Sequence, residues 1–173
     1  MLTRTSVLIV SAALALTGCS STDQATPINT QSTDGAPALT GTPVSVEVYG
    51  EDGTQPEVVI TPGDPVTELE VTDVIVGEGD ALPAGATLTA DYVGYGAATG
   101  QMFDASWVRG EPATFPLSNV ILGWQEGLVG MQIGGRRLLV IPAELGYGNN
   151  PPPGSGIEPG ETLIFVVDLV SFE

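Results

Sequence analysis

Histidine and lysine are both absent from this 173-residue sequence, and Cys19 is its only cysteine. Without His or Lys there is no Ser–His nucleophile pair, no Schiff-base lysine and no P-loop lysine. One Cys and no His also exclude the usual zinc sites. Positive charge is scarce as well: 4 Arg stand against 21 acidic residues, for a formal net charge of -17. A surface of that sign is repelled by nucleic acid and by anionic membrane surfaces, so no nucleic-acid partner is expected. Only 14% of residues are charged, whereas 42% are hydrophobic and 23 are Gly. That balance suits a compact, β-rich fold better than a disordered acidic tail. The length fits one domain plus extras.

The first residues read as an export segment. Arg4 gives a short basic start, and Val7 to Leu16 is an uncharged apolar run of secretory length, too short to span a bilayer. Leu16-Thr17-Gly18-Cys19 follows and resembles the lipobox of bacterial lipoproteins. The resemblance implies cleavage before Cys19 and a lipid on its thiol. Residues 1–18 are therefore read as a signal peptide. The expected location is extracytoplasmic, with membrane contact only through lipidated Cys19. Ala13-Leu14-Ala15 also fits an A-x-A cleavage site, which leaves a secreted protein as the alternative. A core cysteine fits poorly beside the polar run Ser20 to Asp23.

Residues 19–42 are rich in Ser, Thr, Gln, Asp, Gly and Pro and read as a flexible tether. Residues 43–66 read as a β-extension: Val44, Val46 and Val48 alternate, Asp52-Gly53 is a turn signal, and Val58-Val59-Ile60 follows. Residues 67–173 form the main domain. Leu69 and Val71, then Val74 and Val76, suggest a strand with a break. Leu88, Ala90 and Tyr92 alternate in the next strand, and Phe103 and Phe115 mark short ones. Arg136 to Ile141 and Thr162 to Phe172 complete the strands. Ile121, Trp124 and Leu128 have helical spacing, with Gly130 as the expected stop. The expected class is α+β, an antiparallel sheet with one short helix packed on it.

The informative feature is an ordered set of short motifs. Tyr92-Val93-Gly94 precedes Phe103-Asp104-Ala105-Ser106 and Arg109-Gly110-Glu111-Pro112. Val120-Ile121-Leu122-Gly123-Trp124 comes next, then Gly134-Gly135-Arg136-Arg137 and Leu145-Gly146-Tyr147-Gly148. Ile157 and Thr162-Leu163-Ile164-Phe165 close the set. In order and spacing it resembles the FKBP family of peptidyl-prolyl cis-trans isomerases, over about Glu68 to Glu173. The resemblance implies about five antiparallel strands wrapped around one short helix, with an apolar pocket between them. It implies Trp124 as the pocket floor and Tyr92, Phe103, Val120, Ile121 and Phe165 as walls. It puts Asp104 at the rim with Arg109 near it. It further implies that Tyr147 offers its hydroxyl, and Ile157 its backbone N–H, to a substrate carbonyl. Proline-containing polypeptides are the implied clients and a macrolide the implied small ligand. No cofactor or metal is called for, and a monomer is expected.

That chemistry suits a chain without His or Lys. The X-Pro amide is held planar by resonance, with a barrier of ~18–20 kcal/mol, and no bond need break to cross it. An apolar pocket disfavours the polarised planar amide relative to the twisted one. Taken singly, these residues have plainer readings. Trp124 and the phenylalanines serve as core in most sheets, and Asp104 with Arg109 as a surface pair. The sequence departs from the family pattern at Ala113, where many members carry a large aromatic, and at Asn119, where Glu is common. It departs again in the Pro-rich loop Asn149 to Gly156. A non-catalytic chaperone or binding module of the same fold is therefore kept as an alternative. A surface lipoprotein that makes its contacts through Val44 to Pro65 is kept beside it.

Overall fold

The computed structural model describes residues 41–173 apart from Asp52. The signal peptide, the lipobox with Cys19 and all but the end of the tether lie outside the described residues, as does Asp52 of the turn signal.

Eight strands follow one another in the described chain: β1 Ser45–Tyr49, β2 Glu57–Thr61, β3 Glu70–Ile75, β4 Thr87–Gly96, β5 Met102–Ala105, β6 Ala113–Pro116, β7 Arg136–Ile141 and β8 Leu163–Phe172. β1 and β2 form an antiparallel hairpin with Val48 opposite Val58. The other six make one antiparallel sheet in the order β3-β7-β8-β4-β5, with β6 also paired to β4. Six strands stand where about five are expected. The long β4 carries two short partners on one edge, β6 against Thr87 to Ala90 and β5 against Val93 to Tyr95. The break foreseen after Val71 is a register shift between Asp73 and Ile75 in β3, and Val76 lies beyond the strand, exposed.

Two helices accompany the sheet, α1 Ser106–Arg109 and α2 Leu122–Gly127. A single turn such as α1 is too short to leave a periodic pattern. In α2 the expected stop is off: Leu128 is the C-terminal cap, in right-handed geometry, and Gly130 lies further on in the following turn. Two glycines in so short a helix cost roughly 1 kcal/mol each relative to alanine. Their positions explain them. A Cβ on Gly123 would run into the Ile141 side chain, and one on Gly127 would come within 2.7 Å of Leu139 Cδ2. Missing side chains let α2 lie close against β7.

Alternation along the strands divides the core in two. On the α2 face, Leu88, Ala90 and Tyr92 of β4, Leu139 and Ile141 of β7, and Leu163, Phe165 and Val167 of β8 pack with Trp124 and Leu128. On the opposite face, Val93, Leu138, Val140, Ile164 and Val166 pack with Val44, Val46 and Val48 of the hairpin. The extension therefore covers the outer face of the sheet and shares its core. The sheet is sandwiched between hairpin and helix, and the α2 face holds Tyr92, Phe103, Phe115, Trp124, Tyr147 and Phe165.

Candidate active site

Tyr92 projects from the centre of β4, where its strand neighbours fix its direction toward α2. Its ring meets Trp124 edge-on at 5.4 Å and Phe115 at 5.8 Å, and lies tilted to Phe165 at 6.5 Å. Phe165 in turn stands edge-on to Trp124 at 5.3 Å and to Phe103 at 5.5 Å. Edge-to-face contacts of this kind each contribute about 0.5–1.5 kcal/mol beyond area burial, so the five rings hold one another in place. Phe103 and Phe165 approach this closely because Gly94 lies beneath both. A Cβ there would sit 2.7 Å from Phe103 Cζ and from Phe165 Cε1.

At one side of the rings the surface turns polar. The Tyr92 hydroxyl donates to Asp104 Oδ2 at 2.5 Å. Arg109 donates from Nη1 to Asp104 Oδ1 and from Nη2 to the Tyr92 oxygen, both at 2.8 Å. The guanidinium carbon also lies 5.5 Å from the Tyr92 ring centroid, within cation–π reach. Burial, and then the bond to Asp104, push the Tyr92 hydroxyl up to about 12. Burial alone would raise Asp104, but the bonds from Tyr92 and Arg109 outweigh it and hold the carboxyl below its ordinary value. The triad is thus fixed as neutral phenol, carboxylate and guanidinium. Its position depends on buried Ser106 at the start of α1. That hydroxyl accepts from the Tyr92 backbone N–H at 2.9 Å and donates to Asp91 Oδ1 at 2.7 Å.

Val120 and Ile121, just before α2, are half-buried against the same cluster, and Gln125 Nε2 donates to the Val120 carbonyl at 2.8 Å. Tyr147 also packs there, its hydroxyl without a hydrogen-bond partner among the described residues. Burial raises that hydroxyl, and the negative charge of Asp104 raises it further. Ile157 is buried in the cluster, and its backbone N–H donates to Ser155 Oγ at 3.3 Å. The Trp124 indole Nε1 is buried with no partner. All ten pocket residues named from the sequence thus gather at one cluster, whereas Cys19 lies outside the described residues. Among the described residues, no group of three or more His, Cys, Asp or Glu could hold a metal.

Some members of the site were not singled out. Phe115, expected only as a strand residue, stands edge-on to Trp124 at 5.9 Å. Ser106 belongs to one of the quoted motifs but has no assigned role there, and Asp91 lies on β4 15 residues before it, so their bond is visible only in the fold. Ala113 is half-buried against the core on β6, opposite Ala90, so the wall there is low.

The model of the FKBP-type peptidyl-prolyl cis-trans isomerase family matches residues 79–170. The chain belongs to the FKBP family of peptidyl-prolyl cis-trans isomerases. It is 49% identical over 119 residues to the FK506-binding protein of Streptomyces anulatus, covering 68% of this chain and 96% of that one. It is 45% identical over 118 residues to a probable FK506-binding protein of Corynebacterium glutamicum, covering 68% of this chain and 98% of that one. Among solved structures, FkpA from Escherichia coli superposes with a TM-score of 0.57 at 42% identity, over 62% of this chain and 49% of that one. The FKBP match begins after the β1–β2 hairpin, which lies N-terminal to the matched residues. As an FKBP, the chain is a peptidyl-prolyl cis-trans isomerase.

Proposed function

We propose that this FKBP isomerises Xaa-Pro amides of exported polypeptides, tethered to the membrane through a lipid on Cys19. The observation that carries the reading is the cluster of interlocked aromatic rings with Tyr92, Asp104 and Arg109 joined at its side, preceded in sequence by an export segment and lipobox.

The steps follow from the side chains. Proline enters between Phe103, Phe165 and Trp124, which exclude water from its ring and from the amide. The planar amide loses solvation of its polarised form there, while the twisted amide loses less, so the barrier falls. Tyr147, whose hydroxyl has no partner in the described chain, donates to a flanking carbonyl. The Ile157 N–H gives a second donor once it exchanges Ser155 Oγ for substrate. Tyr92, Asp104 and Arg109 keep the rim rigid and hold its charges in mutual pairing. No proton is transferred and no covalent intermediate forms. A 10⁴-fold acceleration requires about 5–6 kcal/mol, within reach of desolvation plus two oriented hydrogen bonds.

Clients are proline-containing polypeptides, the protein acts as a monomer, and a macrolide competes for the same pocket. Each Arg among the described residues is paired with an Asp, so most of the other acidic groups stand without a cation and nucleic acid is not a partner. A second reading, a non-catalytic binding module, draws on the Ile157 N–H being already engaged by Ser155. Two assays separate the readings. Isomerisation of a Xaa-Pro peptide by the full chain is expected well above the blank; a folded protein that leaves the blank rate unchanged favours the binding module. Cys19→Ala is expected to move the protein from the membrane fraction to the soluble fraction, and retention in the membrane fraction contradicts lipid tethering.

A further inference from the structure

Glu161 is a buried carboxylate with no ion pair among the described residues. It lies immediately before β8, at the end of the Pro-rich loop that carries Ile157. Its Oε2 accepts the backbone N–H of Glu158 at 2.8 Å. Its Oε1 accepts the backbone N–H groups of Ala98 and Thr99, each at 3.2 Å, and the Thr99 hydroxyl at 3.3 Å. The residue is only 5% exposed. Gly96 makes room for it, since a Cβ at that position would collide with Oε1.

One carboxylate therefore ties two loops together: the turn between β4 and β5, and the loop from Gly148 to Gly160. The second loop is closed at its base by the Gly160 N–H donating to the Gly148 carbonyl at 2.8 Å. Within the loop the Asn150 N–H donates to the Tyr147 carbonyl and the Ser155 N–H to the Pro152 carbonyl, each at 3.1 Å, and the Ile157 side chain is buried in the core cluster. Glu158 follows Ile157 directly, so fixing the Glu158 amide fixes the peptide plane next to the Ile157 donor. Burying a carboxylate is costly unless its oxygens are satisfied, and here backbone and hydroxyl donors satisfy both. An apolar side chain in that space would leave these donors buried without an acceptor, so the carboxylate is what keeps the two loops in this orientation.

We propose that Glu161 is a positioning residue for isomerisation: it holds the Ile157 N–H in the direction a substrate carbonyl needs. This rests on the reading of Ile157 as a substrate donor. A misplaced donor costs rate steeply, since about 1 Å of error can cost 100-fold.

The test compares wild type, Glu161→Ala and Glu161→Gln in the full chain. Gln keeps one acceptor oxygen but turns an NH₂ toward one of the two loops. Three quantities are measured: kcat and KM for a Xaa-Pro peptide, amide hydrogen exchange at Ile157 and Glu158, and the fraction folded. Per folded molecule, kcat/KM is expected to fall about tenfold or more, chiefly through kcat, with both amides exchanging faster. A residue needed only for folding would lower the folded fraction and leave kcat/KM per folded molecule unchanged, which overturns the proposal. Faster exchange with an unchanged rate overturns it as well, by removing Ile157 from the reaction. An inactive wild type defeats the functional reading itself, a result distinct from an active wild type with unaffected variants. Should Glu161→Ala fail to fold, Glu161→Gln together with Thr99→Val, which loosens only the β4–β5 side, decides the matter. Thr99→Val is expected to weaken kcat/KM less than Glu161→Gln, and equal or greater loss contradicts the assignment to the Glu158 side.

Discussion

Arg136 and Arg137 are consecutive on β7, yet their guanidiniums lie on opposite faces of the sheet. Arg136 reaches toward the hairpin, donating from Nε and Nη2 to Asp168, each at 2.6 Å, and from Nη2 to the Thr54 carbonyl. Arg137 reaches toward the pocket side. It donates from Nε and Nη2 to Asp73 and from Nη1 to the Gly127 carbonyl at the end of α2, the latter at 2.8 Å. One dipeptide thus fastens both layers to the strand between them.

Asp168→Ala leaves the fully buried Arg136 without its bidentate partner. Breaking a buried pair in this way costs about 3–5 kcal/mol. The urea midpoint is expected to fall accordingly, while kcat/KM per folded molecule stays at the wild-type value, because Asp168 lies on the hairpin face.

Val48 points into the contact between hairpin and sheet and is 1% exposed. Val48→Ala removes two buried methyl equivalents and is expected to cost about 2 kcal/mol in urea unfolding, with isomerisation unchanged. A negligible loss would contradict the hairpin as part of the core.

Gly94→Ala inserts a methyl group where Phe103 and Phe165 converge. Overpacking of this kind costs about 1–3 kcal/mol. Because the displaced atoms are pocket walls, kcat/KM is expected to fall along with stability, unlike in the two variants above. Equal activity would mean that these walls tolerate displacement.

The pH dependence follows from the rim. Asp104 is held below its ordinary value when folded, so its contribution to stability is full above the unfolded value near 3.8 and is lost as pH falls through the lower folded one. Tyr92, at about 12, and Tyr147 are raised. Their contribution is complete below about pH 10 and declines above it, as the unfolded chain releases those protons first. With no His in the chain, kcat/KM is expected to be flat from about pH 5 to about pH 9. A bell-shaped profile inside that window would contradict the assignment of roles.

Much of this was legible in the sequence. Period-two alternation marked β4 and β8, and the apolar run before Pro142 marked β7, which is buried along its whole length. The order of the motifs brought Tyr92, Phe103, Asp104, Trp124, Tyr147 and Phe165 to one place. What stayed hidden depends on contacts between distant segments. The alternating valines at 44, 46 and 48 announced a strand, but not that it would lie across the outer face of the sheet. Gly123 and Gly127 have no local reason to stand in a helix; the reason is the close approach of β7. Glu161 looked like one more acid in an acidic chain, because nothing local distinguishes a carboxylate that will be buried from one that will be solvated.

The central claim is that the aromatic pocket lowers the barrier to prolyl isomerisation. The most direct measurement is the rate of Xaa-Pro peptide isomerisation by wild type and by Phe103→Ala, at matched folded concentration. The account predicts catalysis by wild type and a loss of about tenfold or more in kcat/KM when that wall is removed. Equal rates in the two folded proteins would contradict it.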